Sequence, residues 1–181
     1  YSDDELKEYG LEFGQYCINK VHGKSEKRYA SHPYITGLID GYEIDFVPCY
    51  QIKDASQLKS AVDRTILHTD YVQKHLTDKE AEFMTSINTY GANYKVSGFS
   101  GYLCEILILK YHSFINVIKE AANNWHMKFH IDIEDYGTCD NYKDPLIAID
   151  PVDANRNVAA ALSMQKLSEF IVAARNYLAN P

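Results

Sequence analysis

The sequence predicts an α+β fold, on three observations. Residues 34–47 read as a β-hairpin around Asp40-Gly41, because Asp-Gly accepts the positive φ angles of a two-residue hairpin turn. Several longer stretches repeat their apolar residues with helical spacing, and two of them open on a capping-box pattern. Met127, Phe129, Ile131 and Ile133 alternate as residues of a half-buried strand do. Together these signals describe a small sheet preceded by a helix, then a mostly helical block with a second strand pair.

In chain order, Ser2-Asp3-Asp4-Glu5 opens the first helix, whose predicted apolar face is Leu6, Tyr9, Phe13, Tyr16 and Cys17. His22-Gly23-Lys24-Ser25 closes it. Tyr34 to Ile39 forms the first arm of the hairpin, and residues 42–47 form the second, which Pro48 stops. On that second arm Tyr42, Ile44 and Phe46 share one face, and Glu43, Asp45 and Val47 the other. Residues 56–76 are expected as one helix with Leu58, Ala61, Val62 and Thr65 on one side. Thr77-Asp78-Lys79-Glu80 is a second capping box, starting a short helix towards Asn88. Ser100 caps a helix over 102–111, and another covers 114–125. A strand follows at 127–133, then a polar loop at 137–143 and a short buried strand at 146–149. The last helix begins near Ser163 and buries Leu167, Phe170, Ile171, Ala174 and Leu178.

With 181 residues, 46% of them hydrophobic, the chain suits one medium domain or two small ones sharing a core. No apolar run approaches the roughly 18 residues of a membrane span. Tyr1 stands where an initiator methionine would, and both ends predict a piece of a longer chain. Cys17, Cys49, Cys104 and Cys139 are scattered without a Cys-x-x-Cys pair, which fits a reducing, cytoplasmic setting rather than a disulfide or zinc framework. The formal charge of -7 argues against a nucleic-acid grip spread over the whole surface. Contact with nucleic acid is therefore local, or the grip lies elsewhere in the protein.

Three stretches carry chemistry. The first is His32-Pro33-Tyr34-Ile35-Thr36-Gly37, followed by Glu43-Ile44-Asp45-Phe46-Val47-Pro48-Cys49-Tyr50. The second is Ser60-Ala61-Val62-Asp63-Arg64-Thr65 with His68. The third runs from Tyr90-Gly91-Ala92 through Gly98-Phe99-Ser100-Gly101-Tyr102-Leu103-Cys104-Glu105, and is joined by Asp150-Pro151-Val152-Asp153 and Arg156-Asn157-Val158-Ala159-Ala160. In this order, over almost the whole chain, they resemble the archaeal (class I) CCA-adding enzymes.

The resemblance implies the remainder of a polymerase-β-like nucleotidyltransferase palm at residues 1–66 and a mostly helical central domain at 67–181. It implies template-independent addition of C, C and A to the tRNA 3′ end from CTP and ATP, with release of pyrophosphate. It also implies a two-ion Mg²⁺ site held by three carboxylates, of which Asp45 matches the third; the first two would lie outside this chain. On that basis the chain alone is expected to be inactive. Arg64, Thr65 and His68 match the stretch that approaches the bound nucleotide, and Tyr90 a tyrosine that contacts its triphosphate. Arg156 matches the arginine that helps select C and A. Lys79 is an approximate match to a triphosphate-binding lysine, and Ser97 stands where the family often has an arginine. The expected partners are the tRNA 3′ end, CTP and ATP, with no membrane; a homodimer is left open.

Plainer readings remain for each residue. Asp45 also fits a solvated strand aspartate, Asp63 and Arg64 a surface helix pair, and Arg156 a structural arginine paired with Asp150 or Asp153. His126 and His130 fall on one face of the predicted strand, but no carboxylate or thiol pattern completes a metal site. A related poly(A)-polymerase-like transferase and a non-catalytic nucleotide- or RNA-binding module are the competing functions.

Overall fold

The computed structural model describes residues 1–29, 33–75 and 97–179. They form two compact units, Tyr1–Thr69 and Asp70–Pro181.

In the first unit, helix α1 (Asp3–Lys20) packs on an antiparallel sheet of β1 (Lys24–Tyr29), β2 (Pro33–Ile39) and β3 (Tyr42–Phe46), in the order β1-β2-β3. The capping box forms as the sequence predicts, with the Glu5 N–H donating to Ser2 Oγ at 3.3 Å and the Ser2 N–H to Glu5 Oε2 at 2.8 Å. The buried face is not the predicted one. Tyr9, Phe13 and Tyr16 are 53–64% exposed, whereas Gly14 and Ile18 are buried. The reason is distance. A Cβ on Gly10 would fall 2.3 Å from Pro48 Cβ, and one on Gly14 would fall 2.8 Å from Phe46 Cβ. The helix backbone at Gly10 and Gly14 lies directly against the side chains of Pro48, Phe46 and Ile35, and the aromatic stripe faces away. Replacing Gly10 by alanine gains about 1 kcal/mol of helix propensity but forces overpacking that costs roughly 1–3 kcal/mol. A net loss of about 1 kcal/mol is expected in urea unfolding; a stabilised variant would show that the spacing relaxes freely.

The hairpin turn has the predicted backbone, with φ of 50° at Asp40 and 86° at Gly41. Strand β1 escapes the sequence reading because Lys-Ser-Glu-Lys-Arg-Tyr has no apolar alternation; it is an edge strand, where charge is tolerated and blocks further pairing. The single helix expected over 56–76 is instead two 3₁₀ turns, Ala55–Gln57 and Ala61–Asp63, before helix α2 (Arg64–His75). Side-chain carboxylates explain the break. Asp54 takes the N–H of Ser56 at 2.9 Å, and Asp63 takes those of Lys59 and Ser60 at 3.0 and 2.7 Å. The second capping box, at 77–80, lies outside the described residues.

The second unit packs α3 (Gly101–Tyr111), α4 (Phe114–Asn123) and α5 (Met164–Ala179) around Phe99, Leu103, Leu107, Trp125 and Phe170. Ser100 caps α3 by accepting from the Leu103 N–H at 3.1 Å, as expected. A small sheet has the order β4-β5-β6: β4 (Phe129–Ile131) runs parallel to β5 (Leu146–Asp150), and β6 (Asp153–Asn157) antiparallel to it. The sequence predicts β4 too long: Met127 is 59% exposed and His126 precedes the strand, so His126 and His130 share no strand face. Strand β6, rich in Asp, Asn and Arg, gives no β signal and appears only in the structure.

Candidate active site

Asp45 lies near the end of β3, on the sheet face opposite α1. The register pairs Ile35 with Phe46 and Gly37 with Ile44 on the helix side, and Thr36 with Asp45 on the other. Thr36, a residue only 3% exposed, donates its hydroxyl to Asp45 Oδ1 at 2.6 Å, while Asp45 itself is exposed. The two-residue turn at Asp40-Gly41 sets the register that places Thr36 opposite Asp45. Glu43 and Thr36 line an open groove of about 320 Å³ with Lys24, Glu26 and Arg28. Arg28 spans the groove, ion-paired to Glu26 at 3.0 Å and to Glu43.

An exposed carboxylate with one oxygen oriented by a hydroxyl is a hard donor that suits Mg²⁺. Among the described residues no group of three or more His, Cys, Asp or Glu side chains converges on a metal position.

Arg64 and His68 sit one turn apart at the start of α2, both half-buried, with Thr65 exposed beside them. Asp63 ties this helix start to the segment that leaves β3. It is fully buried, and its Oδ1 accepts from the Tyr50 N–H at 2.9 Å while its Oδ2 holds Lys59 and Ser60. Burial alone raises this carboxyl's pKa, but the N–H groups of Tyr50, Ser60 and Lys59 outweigh it and leave it below the ordinary aspartate range. This corrects the surface-pair reading of Asp63. In a nearby cavity of about 300 Å³ the Tyr50 hydroxyl donates to Asp3 at 2.7 Å, and the Lys59 ammonium lies 4.0 Å from the centre of the Tyr50 ring.

Tyr90, Lys79 and the start of the third motif lie outside the described residues. Arg156 belongs to the second unit. Its Nη1 donates to Asp150 Oδ2 at 2.8 Å, and its side chain is 34% exposed while Asp150 is fully buried. Asp150 Oδ1 accepts from the Tyr102 hydroxyl at 3.0 Å and from the Val152 N–H at 3.1 Å. Next to Arg156, buried Asn157 uses its whole amide. Oδ1 accepts from the Ala148 and Ala159 N–H groups at 2.9 and 3.0 Å, and Nδ2 donates to Asp144 and to the Leu146 carbonyl at 2.8 and 3.1 Å. Tyr136 holds the intervening turn by donating to the Pro151 carbonyl at 2.8 Å. The ion pair of Arg156 with Asp150 is one that the sequence offered as the plainer reading of Arg156, and it is present. The burial of Asp63, Asp150 and Asn157, and the Tyr102 contact with Asp150, escape sequence reading because neither is visible in composition.

A family profile described as "tRNA nucleotidyltransferase, second domain" matches residues 79–181, and one described as "Nucleotidyltransferase domain" matches residues 2–68. The chain is 54% identical to a CCA-adding enzyme of Methanothermobacter thermautotrophicus, over 99% of this chain and 41% of the relative. It is 43% identical to that of Methanocaldococcus jannaschii, covering 99% of the chain and 43% of the relative, and 40% identical to that of Archaeoglobus fulgidus, covering 100% and 41%. It thus spans about two fifths of the length of these curated relatives. No helix among the described residues is long and apolar enough to cross a membrane. On these matches, over both units and nearly every residue, the chain belongs to the tRNA nucleotidyltransferase family and is a relative of the archaeal CCA-adding enzymes.

Proposed function

We propose that this chain is part of an enzyme that builds and repairs the 3′-terminal CCA of tRNA from CTP and ATP. The reading is carried by one observation: 54% identity to a CCA-adding enzyme, across 99% of the chain, including the strand that bears Asp45. In this reading the primer 3′-hydroxyl attacks the α-phosphate of the nucleotide and pyrophosphate leaves, with no template.

Asp45 supplies one oxygen ligand for Mg²⁺, with Thr36 fixing the carboxylate's orientation. Bound divalent ions at such a site lower the pKa of the attacking hydroxyl and offset charge on the leaving pyrophosphate. Arg64 offers a cation, Thr65 a hydroxyl and His68 an imidazole to triphosphate and sugar, the first and last on one helix face. Tyr90 adds a contact to the triphosphate. Arg156 presents guanidinium donors to base acceptors and disfavours G and U.

The test is product sequencing after the intact parent protein acts on tRNA lacking its CCA. Addition of C, C and A, ending there, is the expected result. Runs of A would replace this reading with a poly(A)-polymerase-like transferase, and no addition with a binding module.

A further inference from the structure

The base-selecting role proposed for Arg156 demands more order than an arginine on a short strand has by itself. The side chain has four rotatable torsions, and the β5–β6 ladder is irregular at its position. β5 and β6 pair at Ile149–Asn157 and at Asp150–Asp153, with an irregularity between them that contains Arg156. We infer that Asp150 and Tyr102 are positioning residues, which fix the Arg156 guanidinium so that its exposed edge meets the nucleobase; this rests on the base-selection reading given above.

Asp150 is fully buried at the end of β5, a strand buried along its whole length, so it cannot follow a moving arginine. Both of its oxygens are engaged. Oδ2 takes Arg156, and Oδ1 takes the Tyr102 hydroxyl and the Val152 N–H. Tyr102 stands in the first turn of α3, directly before Leu103, and Ile106 and Leu107 follow within that helix; all three are at most 1% exposed. A core-anchored helix thus sets the direction of one carboxylate, and the carboxylate sets the direction of the arginine. Burial and the adjacent carboxylate push the Tyr102 hydroxyl well above its usual pKa, so it stays a donor at any physiological pH. With one third of its side chain open to solvent, Arg156 keeps donors to offer a ligand, and a planar fork held on one side is directional in a way that a lysine would not be.

The experiment uses the intact parent protein, tRNA lacking its CCA, and CTP, ATP, UTP and GTP separately. Asp150→Asn keeps the shape and removes the charge. It is expected to raise KM for CTP and ATP roughly tenfold or more, to raise UTP and GTP incorporation relative to CTP by a similar factor, and to leave kcat for CTP within about threefold. Tyr102→Phe is expected to move the same quantities in the same direction, by roughly threefold. A uniform fall in kcat with unchanged C and A preference would make both residues merely structural and overturn the inference, as would no change in either variant. Arg156→Ala is run alongside. If it relaxes nucleotide choice while Asp150→Asn and Tyr102→Phe do not, the positioning role falls and the base-selection reading stands. If Arg156→Ala changes nothing, both fall together. Melting curves identify a variant that does not fold, and Tyr102→Phe, which leaves the Asp150–Arg156 pair intact, then decides alone.

Discussion

Asp45→Ala in the intact parent protein is expected to reduce nucleotide addition by roughly three orders of magnitude or more, the effect of losing several kcal/mol of transition-state charge stabilisation. The carboxylate is exposed and makes its hydrogen bond to Thr36, so its loss leaves one buried hydroxyl without its acceptor but does not open the core. The fold should therefore survive at a cost of about 1–2 kcal/mol. Single-turnover incorporation of labelled CTP measures the chemistry. Near-normal turnover would remove Asp45 from the site. No cluster of three or more His, Cys, Asp or Glu side chains forms among the described residues, so the effect is to be read in the intact parent protein.

The second large effect is on stability. Asp63→Ala removes the acceptor for three backbone N–H groups, from Tyr50, Lys59 and Ser60, inside a fully buried position. A loss of about 3 kcal/mol is expected, typical of deleting a charge-assisted acceptor and stranding its donors. The sign of the pH dependence follows from the lowered pKa of Asp63 in the folded unit. An unfolded aspartate titrates at about 3.9, so the stabilisation is fully present above that value and is lost as pH falls through the lower folded pKa. Urea unfolding of wild type and variant should differ most near neutrality and converge in acid. A gap that stayed constant down to about pH 2 would show that Asp63 acts through packing and not through its charge. The same variant should weaken nucleotide binding, because Asp63 holds the segment after β3 against the start of α2, where Arg64, Thr65 and His68 begin.

The elements that declare themselves locally were legible from residue types. Ser2 with Glu5, Asp40 with Gly41 and Ser100 before its apolar helix each form within a few residues of chain, and each appears where the sequence places it. Alternation along β3 put Asp45 on the face away from Phe46, which is where the register sets it. The misses share a cause. Hydrophobicity assigned α1 an aromatic buried face, but the helix sits too close to the sheet for any side chain at Gly10 or Gly14. Helical spacing joined residues 56–76, but Asp54 and Asp63 divert the N–H groups a continuous helix would use. Strands β1 and β6 are polar, and only pairing with a neighbour makes them strands.

The sequence by itself determined the α+β class, the strand that carries Asp45, and the ordered motifs that belong to the tRNA nucleotidyltransferase family. These depend on period, turn chemistry and residue identity, all written along the chain. Only the tertiary structure decided which polar groups are buried and what satisfies them: Thr36 on Asp45, Asp63 on three backbone donors, and Asp150 between Tyr102 and Arg156. A charged or polar residue looks alike in sequence whether it faces water or the core. Its energetic weight comes from desolvation, and desolvation exists only once distant segments close around it.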